Sequence, residues 1–368
     1  MRRLLSIWAM VVATVAAVSA DDNSVRAVID LVRSGISKHT PDKAVAKSLH
    51  KLTLNEKLDL RTIEELESEG AGRETIAALE ALLETSAGKP ASTGIPPFNV
   101  PARPSIEEQK SLFHQIDVNA LRYTRSLPDF ICTEVVRRYQ MAAPRRPGPS
   151  RGRPDVEAVG AGYWIAKDVL TVKLSYFENR EKYELTLVNG HKTRETYESS
   201  GGAISEGDFG SVLLEIFSRD SGTKFQWDHW THLRTRLTRV YSYRTARERS
   251  HYKIGVGQWP GDRRMVVGGR HGFIYADDAT GMVMRITGEA DEIPLGFPVL
   301  AQSSILDYDF ADVGGQQFLL PLRVLNNMKT AQVTFKNVLE FKDYRKFIGE
   351  STISFGSPDD GPPQQPQM

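Results

Sequence analysis

Two features of this sequence have the chemistry of a metal or reactive site: a closely spaced histidine pair and a lone cysteine. His229 and His232 are three positions apart, which puts two ligands on one face of a helix. Residues 225–230 have the composition of a strand, however, and in a strand residues i and i+3 point to opposite faces. Cys132 lies in an apolar segment, and nothing near it in the sequence would lower its pKa. We therefore predict structural histidines, a buried inert thiol and no metal site.

Glycine and serine motifs of catalysis are also missing from the sequence. No serine has the G-x-S-x-G context, and the glycine-rich segments at 255–257 and 268–272 lie between predicted strands. A phosphate cradle opens a helix, so these glycines predict turns and bulges. A pair of catalytic carboxylates stays open, because its members can come from distant parts of the chain. We predict no catalytic residue and no cofactor; a hydrolase or metalloenzyme of unrecognised type remains the second alternative.

Composition excludes several broad classes of protein. The 368 residues are 40% hydrophobic and 25% charged, which is typical of a soluble globular chain and not of a multi-span membrane protein. Lysine and arginine number 47 and aspartate and glutamate 46, so no global basic field attracts nucleic acid. A single cysteine rules out a disulfide framework within the chain. We expect no nucleic-acid partner.

The N-terminus has the pattern of a secretory signal peptide. Arg2 and Arg3 precede an uncharged run over residues 4–20 that ends Val18-Ser19-Ala20. An uncleaved anchor is the alternative, but the run is shorter than the ~20 residues that cross a bilayer comfortably. We predict cleavage after Ala20, a periplasmic or secreted location, and no transmembrane span afterwards.

Residues 21–86 have apolar positions at helical spacing and predict a small helical domain. This segment has 13 acidic and 9 basic residues, a net charge of −4. Its Gly70-Ala71-Gly72 turn resembles a phosphate-binding helical hairpin, but an acidic unit would repel nucleic acid, and glycine capping of helices explains the turn. Residues 87–104 are proline-rich and predict a linker.

Residues 105–356 predict a β-rich domain. Ser105 and Glu108 fit a capping box that starts a helix, a second short helix is predicted over 207–218, and Asn189-Gly190 predicts a hairpin. A disordered Arg/Pro loop is predicted at 142–156 and a disordered tail at 357–368. We predict strands over residues 129–141, 168–176, 183–187, 225–230, 237–245, 252–256, 264–275, 283–290, 304–311, 317–323 and 331–355. The expected fold is α+β, with a small N-terminal all-α unit and a large, mostly antiparallel, half-barrel-like sheet.

Arginines are concentrated in two stretches, over residues 137–153 and 234–249. Interleaved with tyrosines, they could bind anionic lipid headgroups or nucleic acid. We favour a solvated strand face on which these arginines pair with neighbouring acids.

The motif Tyr-x-x-Ser-Leu-Pro-Asp-Phe-x-Cys at 123–132 resembles one found in uncharacterised secreted bacterial proteins with a helical unit, a proline-rich linker and a β-rich domain. Further matching stretches lie at 207–210, 272–275 and 318–321. The order of elements also resembles the periplasmic lipoprotein-carrier fold, which sigma-factor regulatory sensor proteins share. That resemblance implies an open half-barrel whose concave apolar face holds acyl chains or a helix.

We therefore predict a non-catalytic envelope module that accommodates an apolar or lipid ligand in a curved sheet. An ordinary core role is the alternative for each candidate lining residue. A protein-interaction or structural module, in which the acidic helical unit docks an envelope protein, is the alternative function. The candidate lining residues are Leu170, Val172, Leu174, Tyr183, Leu185 and Trp227.

Overall fold

A computed structural model describes residues 23–92, 99–142, 164–178, 180–200, 211–257 and 264–347. The predicted signal peptide, nearly all of the predicted loop at 142–156, the tail at 357–368 and the motif stretch at 207–210 lie outside the described residues. Among the described residues there are six α-helices: α1 (Val25–Ser37), α2 (Asp42–Leu49), α3 (Leu60–Ser68), α4 (Arg73–Ser86), α5 (Ile106–Ser126) and α6 (Ser211–Phe217).

Helices α1 to α4 form a helical unit around their own apolar core. Ile29, Leu49, Leu66 and Leu79 are fully or almost fully buried there, at the helical spacing that the sequence shows. The Gly70 turn ends α3 with a positive φ, and the Ala71 amide donates to the Leu66 carbonyl. Glycine therefore caps this helix, as predicted.

The amide groups at the start of α4 already have an anionic partner in the chain. The carboxylate of Asp42 accepts hydrogen bonds from the amides of Glu74 and Thr75, at 2.8 and 3.0 Å. Gly72 permits this approach, because a Cβ atom at that position would overlap the same carboxylate. An internal acid therefore occupies the place where a phosphate would bind.

Eleven of the thirteen described strands form one open antiparallel sheet, in the order β4-β3-β2-β1-β13-β12-β11-β10-β9-β6-β5, and β7 and β8 form a separate hairpin. The strands are β1 (Phe130–Ala142), β2 (Ile165–Phe177), β3 (Arg180–Val188), β4 (His191–Lys192), β5 (Lys224–Leu233), β6 (Arg236–Thr245), β7 (Lys253–Val256), β8 (Arg264–Val267), β9 (Gly269–Asp277), β10 (Val283–Asp291), β11 (Val299–Val313), β12 (Gln316–Thr330) and β13 (Val333–Lys346).

The α+β class, the antiparallel sheet and its opening helix are as predicted. Asn189 and Gly190 turn with positive φ between β3 and β4, and Ser105 and Glu108 form both bonds of the capping box at α5. Neighbouring strands are mostly consecutive in sequence, and the main exception is the pairing of β1 with β13. That pairing joins the two ends of the β-rich segment and leaves β4 and β5 as the edges of an open sheet.

Several predicted strand bounds were wrong: β11 begins at Val299 instead of residue 304, and β12 extends to Thr330 instead of residue 323. Residues 264–275 form two strands, because the Gly268 amide turns to the carbonyl of Tyr252 and β8 pairs with β7 outside the main sheet. The last strand, predicted over 331–355, is β13 (Val333–Lys346), which pairs with Phe130 at its end; residues 348–355 lie outside the described residues.

Candidate functional site

One face of the sheet, here called the α5 face, carries a continuous apolar row. Each member is in register with the next one on the neighbouring strand, over nine strands and about 40 Å at ~4.8 Å per strand. All of its members belong to one buried apolar cluster. The row consists of Leu170, Val136, Leu339, Val324, Leu306, Ile286, Ile274, Tyr241 and Trp227.

All six candidate lining residues lie on or beside this row. Leu174 pairs with Tyr183, and Val172 with Leu185, where β2 and β3 meet near one edge of the sheet. Trp227 lies on β5, the opposite edge strand. The structure thus places five candidates together and the sixth at the far end of the same face. Their role as ligand-lining residues stays a prediction.

Two helices pack on the α5 face and bury much of it. From α5, Ile116, Ala120 and Tyr123 enter the apolar cluster, and α6 contributes Leu213, Ile216 and Phe217. Near β5, the rings of Phe113, Phe217 and Phe225 pack together, with 4.6 Å between the centroids of Phe113 and Phe225. In the described part of the chain the face is therefore filled by side chains and helices. The surface that a ligand would use is the surface on which α5 and α6 now pack.

Buried charges on this face are held by neighbouring acids. Arg138 donates to both carboxylate oxygens of Asp168, at 2.6 and 2.7 Å. Arg239 donates to Asp278 at 2.7 Å and reaches Gln115 on α5. Such bidentate or doubly bonded pairs offset the cost of burying a guanidinium.

The opposite face carries a row of charges instead of apolar residues. Arg285, Asp307, Arg323 and Glu340 are in register on β10 to β13. The Arg285 guanidinium donates to both oxygens of Asp307, at 2.6 and 3.1 Å. Sign alternates along the row, so each charge has an opposite neighbour.

The helical unit docks on this charged row through its own acidic residues. Glu64 on α3 is 0% exposed and accepts a hydrogen bond from Arg285 at 2.9 Å. Glu80 on α4 receives two bonds from Arg323, at 2.7 and 3.0 Å. The negative charge of the unit is thus directed at arginines of the same chain.

Two further glutamates extend this interface to both sides. Glu65 accepts from the Thr231 hydroxyl at 3.0 Å and from the His232 amide at 3.1 Å, at the edge strand β5. Glu84 accepts from Lys336 at 2.6 Å and from the Trp164 indole at 2.7 Å. These contacts could not be predicted from the sequence, because acidic positions on a helix do not show which distant strand they meet. The excess of acid in the unit and of arginine in the β-rich segment was the available signal.

Burial raises the pKa of Glu64 to about 7, against the opposing effect of the Arg285 charge and its hydrogen bond. The Tyr275 hydroxyl also faces this carboxyl group, and Asp307 adds a like charge beyond Arg285. Burial likewise raises the pKa of Glu67 on the same helix. The interface therefore contains carboxyl groups that hold their protons at higher pH than exposed glutamates do.

The residues singled out for chemistry have separate structural partners. His229 contacts Asp228 at 2.5 Å, and His232 contacts Glu65 at 3.1 Å. Cys132 is 2% exposed, and burial raises the pKa of its thiol, so it is the buried, unreactive thiol predicted. Within the described ranges, no group of three or more His, Cys, Asp or Glu side chains is arranged to hold a metal ion.

Most of the described arginines in the two arginine-rich stretches pair with acids, as favoured, but Arg138 and Arg239 are buried and not on a solvated face. Arg236 meets Asp277 at 3.6 Å, and Arg244 meets Asp291 at 3.3 Å. On the first stretch, Arg137 donates to Glu340 at 2.7 Å. The arginines at 145, 146, 151 and 153 lie outside the described residues.

The motif at 123–132 forms the passage from α5 into β1. The Phe130 ring stacks on Tyr176 with 5.3 Å between centroids and contacts Tyr344 edge-on. Asp129 accepts a hydrogen bond from the Glu178 amide through its side chain and from the Phe347 amide through its carbonyl. The motif thus fixes the helix against the first strand.

Comparison with known proteins identifies no family for this chain. No family model and no curated protein matches the chain, and none of the described helices is long and apolar enough to cross a membrane. Three solved structures each align with 66% of the chain. They are a LolA superfamily protein from Nitrosomonas europaea (12% identity, 94% of that chain, TM-score 0.31), a DUF1329 family protein from Desulfovibrio piger (9%, 94%, 0.29) and a putative outer membrane lipoprotein-sorting protein domain from Vibrio parahaemolyticus (10%, 95%, 0.32). At this identity and these TM-scores, the similarity assigns no activity to this chain.

Proposed function

We propose that this protein is an exported, non-catalytic binding module that holds an apolar or lipid ligand between its open sheet and helices α5 and α6. The observation that carries the proposal is the apolar row from Leu170 to Trp227, which runs unbroken across nine strands of one face. An extended apolar row fits a chain-like apolar ligand, whereas a compact pocket fits a compact one.

Helix α6 is the part of the cover that a ligand would displace most easily. It has seven residues, and a helix of that length is unstable without tertiary packing. Its buried side chains Leu213, Ile216 and Phe217 are apolar, so an acyl chain can take their place with little change in the polarity of the contact. Leu214, on its outer side, is 43% exposed. We propose that ligand and α6 compete for the same surface.

The test uses the chain from residue 21 onward, purified and extracted for lipid mass spectrometry, with thermal unfolding measured in the presence of tetradecanoate. We expect copurified lipid and a rise in Tm. The variant Leu213→Ala weakens the packing of α6 and is expected to bind tetradecanoate more tightly, by about tenfold or more, because less packing free energy is lost when α6 leaves.

The matched control is Leu79→Ala, which removes an equally buried leucine from the core of the helical unit. It should lower Tm by a similar amount and leave the affinity for tetradecanoate unchanged. Absence of copurified lipid together with no rise in Tm would refute the proposal.

The alternative is a protein-interaction module, and the docked helical unit is the feature that bears on it. Glu64, Glu80 and Glu84 already contact arginine or lysine of the sheet, so a protein partner of these acids would have to displace the unit first. Copurification with and without residues 21–86 tests this alternative. A stoichiometric partner that is lost on deletion would favour it.

A further inference from the structure

Among the described residues, one buried arginine on the α5 face forms no ion pair. Arg270, on β9, is 4% exposed, and its side chain lies over Gly288 of β10. A Cβ atom at Gly288 would lie 2.6 Å from Nη2 and 2.8 Å from Cζ of the guanidinium, so the glycine makes room for the charge. Gly272 approaches Gly288 just as closely, since its own Cβ would lie 3.0 Å from the Gly288 Cα atom.

The absence of an ion pair distinguishes Arg270 from the other buried arginines. Among the described residues, Arg138, Arg239 and Arg285 are also buried, and each donates to an aspartate at 2.6 or 2.7 Å. Arg270 forms no ion pair within 4.0 Å in the described part of the chain. The Ser304 hydroxyl lies 3.1 Å from Nη2 and the Tyr252 ring 4.7 Å from Cζ, and the Tyr243 hydroxyl also faces the guanidinium. The Glu215 carboxylate on α6 is close enough to raise the pKa of Arg270 without forming an ion pair with it. Its Nε atom has no hydrogen-bond acceptor. A buried guanidinium without an anion is costly, by several kcal/mol in general.

Other polar groups around Arg270 are also unused. The Tyr252 hydroxyl is buried without a hydrogen-bond partner, and so is Oε1 of Gln302, which lies two residues before Ser304 on β11. The Tyr252 hydroxyl and Arg270 Nε are donors, and the Ser304 hydroxyl accepts from Nη2 of the same guanidinium. Together they match the acceptor oxygens of a small anionic group.

Arg270 lies between two apolar regions. On one side lies Tyr243, which pairs with Gly272, two residues after Arg270 on β9, and belongs to the cluster of the apolar row. On the other side lies Tyr252, which packs against the smaller cluster of Ile254, Val299 and Met328. Along the strands, Ile286 and Leu306 of the apolar row are two residues from Gly288 and Ser304 on the same face. A charged site therefore adjoins the middle of the apolar row, beside β10 and β11.

We propose that Arg270 binds the anionic end of an amphiphilic ligand, a carboxylate or a phosphate, while the apolar tail of that ligand lies along the apolar row. This inference rests on the proposed function and deepens it, since it names the chemical class of the ligand. The anion accepts hydrogen bonds from Arg270 Nε and the Tyr252 hydroxyl, and its charge balances the guanidinium.

The experiment measures binding to the chain from residue 21 onward with four probes: tetradecanoate, tetradecyl phosphate, tetradecanol and inorganic phosphate. Charge-assisted hydrogen bonds predict that at least one of the two anionic amphiphiles binds about tenfold or more tightly than tetradecanol. The preferred anionic amphiphile identifies the source of the anion. Arg270→Gln should abolish the preference and leave tetradecanol binding unchanged.

Two further variants keep the proposal testable if Arg270→Gln does not fold. Tyr252→Phe removes a hydroxyl that has no partner, so it should leave Tm unchanged while weakening the anionic amphiphiles several-fold. Arg285→Gln, on the opposite face, removes a buried arginine outside the site and should lower Tm without changing the preference for anions.

The outcomes separate the two proposals. Equal binding of tetradecanol and both anionic amphiphiles, or a preference that survives both Arg270→Gln and Tyr252→Phe, would refute the anchor and leave the proposed function intact. Inorganic phosphate binding as tightly as tetradecyl phosphate would also refute it, because the site would then hold a free anion. Failure of every amphiphile to bind would refute the proposed function itself.

Discussion

Glu64→Gln is expected to change how the stability of the protein depends on pH. Glu64 is completely buried between α3 and β10, and burial raises its pKa to about 7 from an ordinary value of 4.5. Between these two values the unfolded chain has already released the proton that the folded chain still holds. The contribution of Glu64 to the free energy of unfolding is therefore fully present below about pH 4.5. It is lost as the pH rises through about 7, and the total loss is about 3 kcal/mol.

Glutamine keeps the shape of the side chain but does not titrate, so Glu64→Gln should remove this part of the pH dependence. Arg285 keeps its two bonds to Asp307 in the variant. The assay is urea unfolding of both proteins at pH 5, 6, 7 and 8, followed by circular dichroism. Wild type should lose stability relative to Glu64→Gln mainly between pH 5 and 7, with little further change from pH 7 to 8.

A control variant distinguishes burial of the carboxyl group from loss of an ion pair. Glu80→Gln removes the bonds to Arg323, but that pair is 22% to 31% exposed and should contribute at most about 1 kcal/mol. Its pH profile is expected to run parallel to that of wild type. If Glu64→Gln also ran parallel to wild type between pH 5 and 8, the argument from burial would be wrong.

Three further predictions follow from local contacts. Ser105→Ala removes the hydroxyl that accepts from the Glu108 amide at 3.3 Å and should destabilise the protein by about 1 kcal/mol, measured by urea unfolding. Gly72→Ala forces the Asp42 carboxylate away from the start of α4, and we expect a lower Tm for the variant, which Asp42→Ala should share without adding to it. Cys132 should react with a thiol reagent at the rate of global unfolding, and rapid labelling of the folded protein would contradict its burial.

Local patterns in the sequence were sufficient to predict most elements of this fold. Alternation in residues 168–176 marks β2, and Asn189-Gly190 marks the hairpin, because side-chain period and turn chemistry act over a few residues. The split of residues 264–275 was missed because the β7–β8 hairpin depends on a contact between Gly268 and Tyr252, sixteen positions apart. Apolar residues such as Leu170 and Trp227 were identified, but not that they end one row.

Arg270 shows most clearly where prediction from sequence stops. In the sequence it stands in a glycine-rich turn among many arginines, and nothing there separates it from Arg239 or Arg285. Whether an arginine is paired depends on the strand register, which puts Asp278 beside one and Asp307 beside another, but uncharged Gly288 and Ser304 beside Arg270.

The chain alone dictates its helices, its turns and the alternating strands, because these depend on neighbours a few residues away. The excess of acidic residues in 21–86 can likewise be counted directly from the sequence. Only the folded molecule decides that Glu64 meets Arg285, 221 positions later, and that Arg270 forms no ion pair with any described residue. Those outcomes follow from the register of an eleven-stranded sheet and from the face on which each helix packs, and both are set by burial over the whole molecule.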